Sequence, residues 1–246
     1  MPAGSKTIPA GKALANTGLV ERALRAESFD EALQLAGEML PRAKSVIIQE
    51  WIEGDDTDIY FTLFTCDNRG VVIGMFSGRK LVCYPPRVGS TAVCVAAGDF
   101  APDLAQLSRE FIARAEYKGI GSLEFKRNRR TRQFVIVEPT VGRTDWQEEI
   151  ATLCGMNIPL ATYWAEIGAE IGSMSARSGP VAWRSSLSHR LPRDIAPVNI
   201  RVWDGYFRVS DPLPGIYYYA IHVFARKLAK RLRPVNAIAL AKKRFQ

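Results

Sequence analysis

Histidine is scarce in this sequence. Its 246 residues contain two, His189 and His222. No Ser/His/Asp pattern accompanies them, so a serine-hydrolase triad finds no footing. Four cysteines, Cys66, Cys83, Cys94 and Cys154, stand singly. The absence of a CxxC pair and of clustered His/Cys spacing argues against structural zinc and against a disulfide framework. Scattered single cysteines suit a reducing compartment. No run approaches the roughly 18–20 apolar residues of a membrane-spanning helix. The first residues hold no apolar stretch that could serve as a secretory signal. A cytoplasmic protein is expected. Helix-turn-helix, RNA-recognition and OB signatures are missing, so a nucleic-acid partner is not expected. Internal repeats and low-complexity tracts are absent as well.

What is present is ordinary globular composition, with 47% apolar and 24% charged residues. This length allows one large domain or two small ones around a sizeable core. The net charge of +8 is unevenly placed. Ala176–Gln246 carries 14 basic against 3 acidic side chains, whereas residues 1–175 carry 19 against 22. The excess, +11, therefore belongs to the last third, and the whole-chain pI near 9.5 describes neither part.

Local patterns predict the elements. Residues 1–16, rich in Gly, Pro, Ala and Lys, read as a loop. Ser28-Phe-Asp-Glu31 has the form of a capping box opening a helix to about Leu40, with Phe29, Ala32, Leu33, Ala36 and Leu40 on one face. Val46–Ile52 is apolar and β-branched. Asp58–Ser77 reads as an antiparallel hairpin around Asp67-Asn-Arg-Gly70, its first strand alternating. Lys80–Tyr84 and Thr91–Ala96 follow as strands, joined by Pro85–Ser90. Asp103 can cap a helix to about Tyr117. Gly121–Lys126 and Gln133–Glu138 form a second hairpin around the basic turn Arg127–Arg132. Trp146–Cys154 and Leu160–Ile171 read as helices. Beyond Gly172 the strand–helix rhythm weakens, apart from a short hairpin over Asn199–Val209 and a helix over Ile216–Arg233 ended by Pro234. Trp164, Trp183 and Trp203 are expected in the core.

Three acidic sites stand at strand ends: Gln49-Glu-Trp-Ile-Glu-Gly-Asp-Asp56, Glu124 and Glu138. Glu124 precedes the turn Arg127–Arg132 and Glu138 follows it. The register is not legible, but a hairpin can set both carboxylates on one face, close enough to share divalent cations. Magnesium prefers such hard oxygen ligands and completes its shell with water or phosphate oxygens. Any one of these motifs alone is more often a solvated or ion-paired strand end.

In order and spacing, Ser28 to Ile171 resembles the ATP-grasp superfamily of carboxylate–amine ligases. The hinge of that family, acidic-x-aromatic-aliphatic-x-Gly-x-acidic, is similar to Gln49–Asp56, with Gln49 in place of the first acid. The resemblance implies an α+β fold, a largely antiparallel sheet with flanking helices, and a basic C-terminal helical extension. It implies ATP and Mg2+ as cofactors, with Gln49, Glu50 and Ile52 at adenine and Asp56 at ribose. Lys80 or Arg79 matches the phosphate-binding base, and Glu124 and Glu138 match the metal-binding pair. Thr140 stands where the family carries a ligating Asn, and Arg143 lies one position later than the common phosphate arginine. Lys80 and Arg143 would supply charge to phosphoryl transfer. The loop Pro85–Thr91 resembles the one facing the acyl acceptor. A preceding domain and a Lys-bearing strand of the family are not found here. Gly4-Ser-Lys6 and Ala10-Gly-Lys12 are what remains of that region, both without a preceding apolar strand, and Lys12 reads more readily as a solvated loop lysine than as a fragment of it. The implied organisation is a remnant over residues 1–16, an N-terminally truncated ATP-grasp-like domain over residues 17–172, and a basic extension over residues 173–246. The implied activity is acylphosphate formation from small-molecule carboxylates and attack by an amine, in envelope or exopolysaccharide assembly.

Two other readings stay open. One is a non-catalytic ATP-grasp-like scaffold. The other is a basic protein acting at a membrane surface. In Tyr217–Arg233, Ile221, Phe224, Leu228 and Leu232 share a face opposite Arg226, Lys227, Lys230, Arg231 and Arg233. Such a helix can lie on an anionic membrane, where Tyr217–Tyr219 suit the interface, or can pack on the core with its basic face in water. A peripheral position at the inner membrane follows from the first alternative.

Overall fold

The computed structural model describes residues 6–9, 23–87, 89–170, 172, 174, 180–195, 199–225 and 228. Strands are β1 (Lys6–Pro9), β2 (Ala23–Ala26), β3 (Gln49–Glu50), β4 (Ile59–Cys66), β5 (Val72–Tyr84), β6 (Ser90–Ala96), β7 (Gly119–Arg127), β8 (Phe134–Val141), β9 (Val181–Arg184) and β10 (Arg201–Asp204). Helices are α1 (Phe29–Met39), α2 (Ala101–Arg114), α3 (Glu149–Leu153), α4 (Ile158–Glu166) and α5 (Leu213–Ile216). Two sheets result, β2-β1-β3 and β10-β9-β6-β5-β4-β7-β8. Contacts divide the chain into units at Val202 and Trp203.

The larger sheet is antiparallel along its paired strands. Its interior strand β4 is buried at every position, which corrects the expected alternation. The reason is that both faces are covered. Tyr60, Phe64, Leu123 and Phe125 pack with Leu104 and Ile112 of α2 on one side. Phe61, Leu63, Phe76 and Cys94 pack with Ile150 of α3 and Ile158 of α4 on the other. A strand buried on two faces reads as a nearly continuous apolar run. Thr162 of α4 donates to the buried Thr65 hydroxyl at 2.9 Å, fixing that helix on β4.

Several expectations change. The two strands expected over Val71–Ser77 and Lys80–Tyr84 form one, because Gly78 does not break β5. A Cβ there would lie 2.2 Å from Cζ of Phe61, so glycine makes room for that ring. Val46–Ile52 contributes two paired residues, since β1 offers partners to Gln49 and Glu50 alone. Residues 6–9, expected as loop, form β1. Its partners are distant in sequence, so local pattern could not show them. Ser28 caps α1 by accepting from the Glu31 amide at 3.1 Å. Its buried stripe is Ala32, Ala36 and Met39, while Phe29, Leu33 and Leu40 are exposed. Asp103 sits in the first turn of α2 with Pro102, and Phe100 takes the cap position. The helices expected at Trp146–Cys154 and Leu160–Ile171 are the shorter α3 and α4; Asn157 caps α4. β9 was not anticipated. It pairs with β6 and places Trp183 in the core, so the sheet extends past Gly172. Arg201–Asp204 is a strand beside β9 rather than the first arm of a hairpin. Trp164 and Trp203 are half-buried. All four cysteines are free and buried.

In the second unit, α5 continues into a π-helical stretch, Tyr217–Val223. The wide turn brings both Tyr218 and Tyr219 inward. Tyr218 stacks on Tyr206 at 3.7 Å, and the Tyr219 hydroxyl donates to the buried Asp204 carboxylate at 2.9 Å. Tyr217 alone of the three is exposed. The expected helix beyond Ala225, apart from Leu228, lies outside the described residues, as does Lys12.

Candidate functional site

The β7–β8 hairpin sets its two acids directly opposite each other. Glu124 pairs with Glu138, and Ser122 with Thr140, with a bulge just after Glu124. Alternation then puts Glu124, Glu138 and Thr140 on one face. Pro139 is accommodated because β8 is an edge strand, where a missing N–H breaks no ladder bond. Glu124 also pairs with Phe61, so this is the face carrying α3 and α4.

Lys80 reaches across β4 on that face, and its ammonium donates to Glu124 Oε2. Its side chain is 4% exposed and that of Glu124 25%. Burial pulls the Lys80 pKa down, but the charge and hydrogen bond of Glu124, with Cys83 and Asp145 nearby, together outweigh it and hold the amine above its ordinary value. Lys80 is thus a fixed cation. Arg79 turns to the opposite face: it lies 5.6 Å from the Tyr60 ring and donates from Nε to Thr57 O at 2.7 Å. Of the two bases weighed for phosphate, the structure brings Lys80 to the acids and uses Arg79 to brace the hinge.

Glu138 reaches solvent at the sheet edge, yet protein atoms crowd it. That burial raises its pKa, as do the charges of Glu124 and Asp145, against the opposing pull of Lys80 and Arg143. Arg143 is exposed and donates to Thr144 O at 3.1 Å. Asp145 was missed in the sequence. It acts electrostatically on both Glu138 and Lys80, and Gln147 donates to it at 3.4 Å. No hinge or hairpin pattern could have marked it, because it lies in the turn after β8.

Among the described residues no group of three or more His, Cys, Asp or Glu forms a ready-made metal cage. Two opposed carboxylates and a hydroxyl nevertheless suit magnesium, which asks for few protein ligands when phosphate oxygens complete its shell. The donor set fits an ion arriving with a phosphate, not a resident one.

The hinge is held from three sides. Gln49 and Glu50 pair with β1, and Ile52 is buried. Asp56 accepts from the amides of Cys83 at 2.7 Å and Arg87 at 2.6 Å, so both its oxygens tie the hinge to the end of β5 and the loop after it. Arg129 of the basic turn donates to Asp55 and Asp58, each at 2.6 Å. Arg25 pairs with Glu53 at 3.3 Å. Beside the hinge, Lys126 lies 4.9 Å and Arg25 5.2 Å from the Trp51 ring. Neither Trp51 nor Lys126 was singled out in the sequence. The Pro85–Thr91 loop opens with a cis Tyr84–Pro85 bond and touches the hinge through Arg87.

No protein-family model and no curated protein matches the chain. Solved structures do. A pyruvate carboxylase of Rhizobium etli matches with TM-score 0.52 and 17% identity, covering 68% of this chain and 15% of that one. Biotin carboxylase of Campylobacter jejuni matches with TM-score 0.51 and 12% identity over 70% of this chain and 39% of its own. The biotin carboxylase domain of Hydrogenobacter thermophilus 2-oxoglutarate carboxylase, solved with MgADP and bicarbonate, matches with TM-score 0.52 and 14% identity over 72% and 40%. The chain therefore spans well under half the length of these neighbours. The fold they share with it is the ATP-grasp fold.

Proposed function

We propose that the chain acts as an ATP- and Mg-dependent carboxylate–amine ligase working through an acylphosphate. The observation that carries this is the direct pairing of Glu124 with Glu138 beside the buried cation Lys80, on an ATP-grasp sheet. Glu124, Glu138 and Thr140 would hold magnesium, which supplies Lewis-acid neutralisation of phosphate charge. Lys80 adds a fixed positive charge at the same place, and Arg143 adds a mobile one from the rim. Gln49, Glu50 and Ile52 line the base end, and Asp56 shapes the hinge around it. In the reaction a carboxylate oxygen takes the γ-phosphoryl group and the bond to ADP breaks. The amine nitrogen then bonds to the acyl carbon as phosphate leaves with the C–O electron pair. No side-chain nucleophile is required. The substrates are small molecules, in keeping with the bicarbonate named for one neighbour. Mg-ATP should raise the melting temperature of the protein, and Glu138→Ala should abolish that shift while remaining folded. No shift at millimolar Mg-ATP would favour a scaffold without catalysis.

A second activity of the same chain is contact with anionic lipid through the second unit. Leu213, Tyr217, Ile221, Phe224 and Leu228 recur at helical spacing and all are exposed. The sequence beside them supplies Arg226, Lys227, Lys230, Arg231 and Arg233. Exposed apolar side chains in a segment whose sequence is rich in cations suit an anionic bilayer surface. Phe224→Asp should reduce sedimentation with phosphatidylglycerol vesicles and leave the weak signal on phosphatidylcholine unchanged. Equal sedimentation of the variant and the parent would remove this reading.

A further inference from the structure

Helix α1 buries Ala32, Ala36 and Met39 and leaves the neighbouring apolar side chains Leu33 and Leu40 half exposed. Between those two leucines stands Gly37, where an added Cβ would meet nothing within 4 Å. Leu33, Gly37 and Leu40 recur at helical spacing and so form one stripe, which the exposed Phe29 extends by a turn. Asp30, Gln34 and Glu38 each follow a stripe residue by one position and are all exposed, so an acidic edge borders the stripe. Among the described residues neither Asp30 nor Glu38 forms an ion pair. Each of these features weakens the free helix. A glycine inside a helix is less favourable than alanine, and no close neighbour requires this one. Glu38 stands in a last turn that holds no basic residue, so its charge opposes the helix dipole. The two leucines keep apolar surface in water.

A surface that brings apolar side chains over the stripe and cations along its edge would offset all three. A second copy of α1 would not, because in either direction it sets acids against acids. An anionic bilayer would meet the same acids and be repelled. The open space at Gly37 suits a close approach of another backbone, and helices that pack on one another read stripes of this spacing. We propose that α1 docks a basic amphipathic helix of a partner protein. Its apolar residues lie over Leu33, Gly37 and Leu40, and its lysines or arginines meet Asp30 and Glu38. None of these residues belongs to the nucleotide site or to the lipid-facing segment assigned above, so the docking face stands apart from both.

The probe is a fluorescein-labelled peptide of leucine and lysine, about 18 residues long and patterned as an amphipathic helix, titrated against the full chain by anisotropy. The parent should bind it saturably and should not bind the same peptide with glutamate in place of lysine. Gly37→Leu fills the space that the partner's backbone needs and should weaken binding roughly tenfold or more, while the free variant melts about 2–4 °C above the parent because a helical glycine has gone. Asp30→Lys combined with Glu38→Lys should weaken binding about tenfold and flatten its dependence on salt. A helix that serves the fold alone would show the rise in melting temperature with peptide affinity untouched, and that result would overturn the proposal. Equal binding of the two peptides, or no binding to the parent, would overturn it as well. Self-association of the parent that Gly37→Leu abolishes would assign the face to a second copy. Sedimentation with phosphatidylcholine vesicles that the same variant abolishes would assign it to lipid. Either outcome also counts against the proposal.

Discussion

At the scale of single residues, the pairing of Lys80 with Glu124 is unequal. The lysine is almost wholly enclosed, whereas the glutamate keeps a quarter of its surface in water. Removing the acid strands a charge inside the sheet, and breaking a buried pair in this way costs about 3 kcal/mol or more. Removing the lysine leaves a carboxylate that water can still reach, which should cost about 1 kcal/mol. Glu124→Gln should therefore unfold at clearly lower denaturant than Lys80→Met, with the slope of the transition unchanged. Glu138 shows the complementary trade. Its raised pKa means that the ionised side chain opposes folding at neutral pH. Glu138→Gln should thus melt above the parent at pH 7 without ligand, and lower melting would refute the crowding assigned to that carboxyl. These residues differ in how legible they were. Glu124 and Glu138 were recognisable from strand-end acids flanking a basic turn. Lys126, Trp51 and Asp145 were not, because what surrounds a side chain is a property of three dimensions.

At the scale of elements, local chemistry was readable and partnership was not. The β4–β5 and β7–β8 hairpins followed from turn residues between β-branched runs. Asp67 shows why, since its carboxylate accepts from the amides of Arg69 and Val71, each at 2.9 Å. β1 and β9 escaped notice because their partners lie far along the chain. The sequence marks Arg127–Arg132 as a basic turn and assigns it no partner. In the structure Arg129 clasps Asp55 and Asp58, fastening the hinge to the β7–β8 hairpin. The hydrogen bond and charge of Arg129 hold the Asp55 carboxyl below its usual range. A depressed carboxylate contributes stability above the unfolded pKa, about 3.9, and loses it as pH falls through the folded value. Arg129→Leu should hence melt below the parent at pH 6–7, with the gap closing as the pH drops below about 4. A gap that stays constant through that range would show that the clasp contributes by packing rather than by charge. Both partners are exposed, so the effect is also expected to shrink in molar salt.

At the scale of the whole molecule, the uneven charge acquires a structural meaning. The first unit combines a sheet covered on both faces with an acid-rich hinge and hairpin, and the slight acidic excess of residues 1–175 includes the carboxylates assigned to magnesium. The second unit carries exposed apolar side chains at helical spacing beside a run of cations in the sequence. The fold class was legible because the order of hairpins, helices and acids was distinctive. The face-to-face register of Glu124 and Glu138 was not, since a one-residue slip in β8 would have turned Glu138 to the other side of the sheet. That register is the centre of the account, and calorimetric titration of magnesium with a non-hydrolysable ATP analogue tests it most directly. The parent should bind saturably. Glu138→Ala, folded by circular dichroism, should bind at least tenfold more weakly, and omission of magnesium should weaken the parent to a similar degree. Absence of saturable binding to the parent at millimolar analogue, or equal affinity of parent and variant, would contradict it.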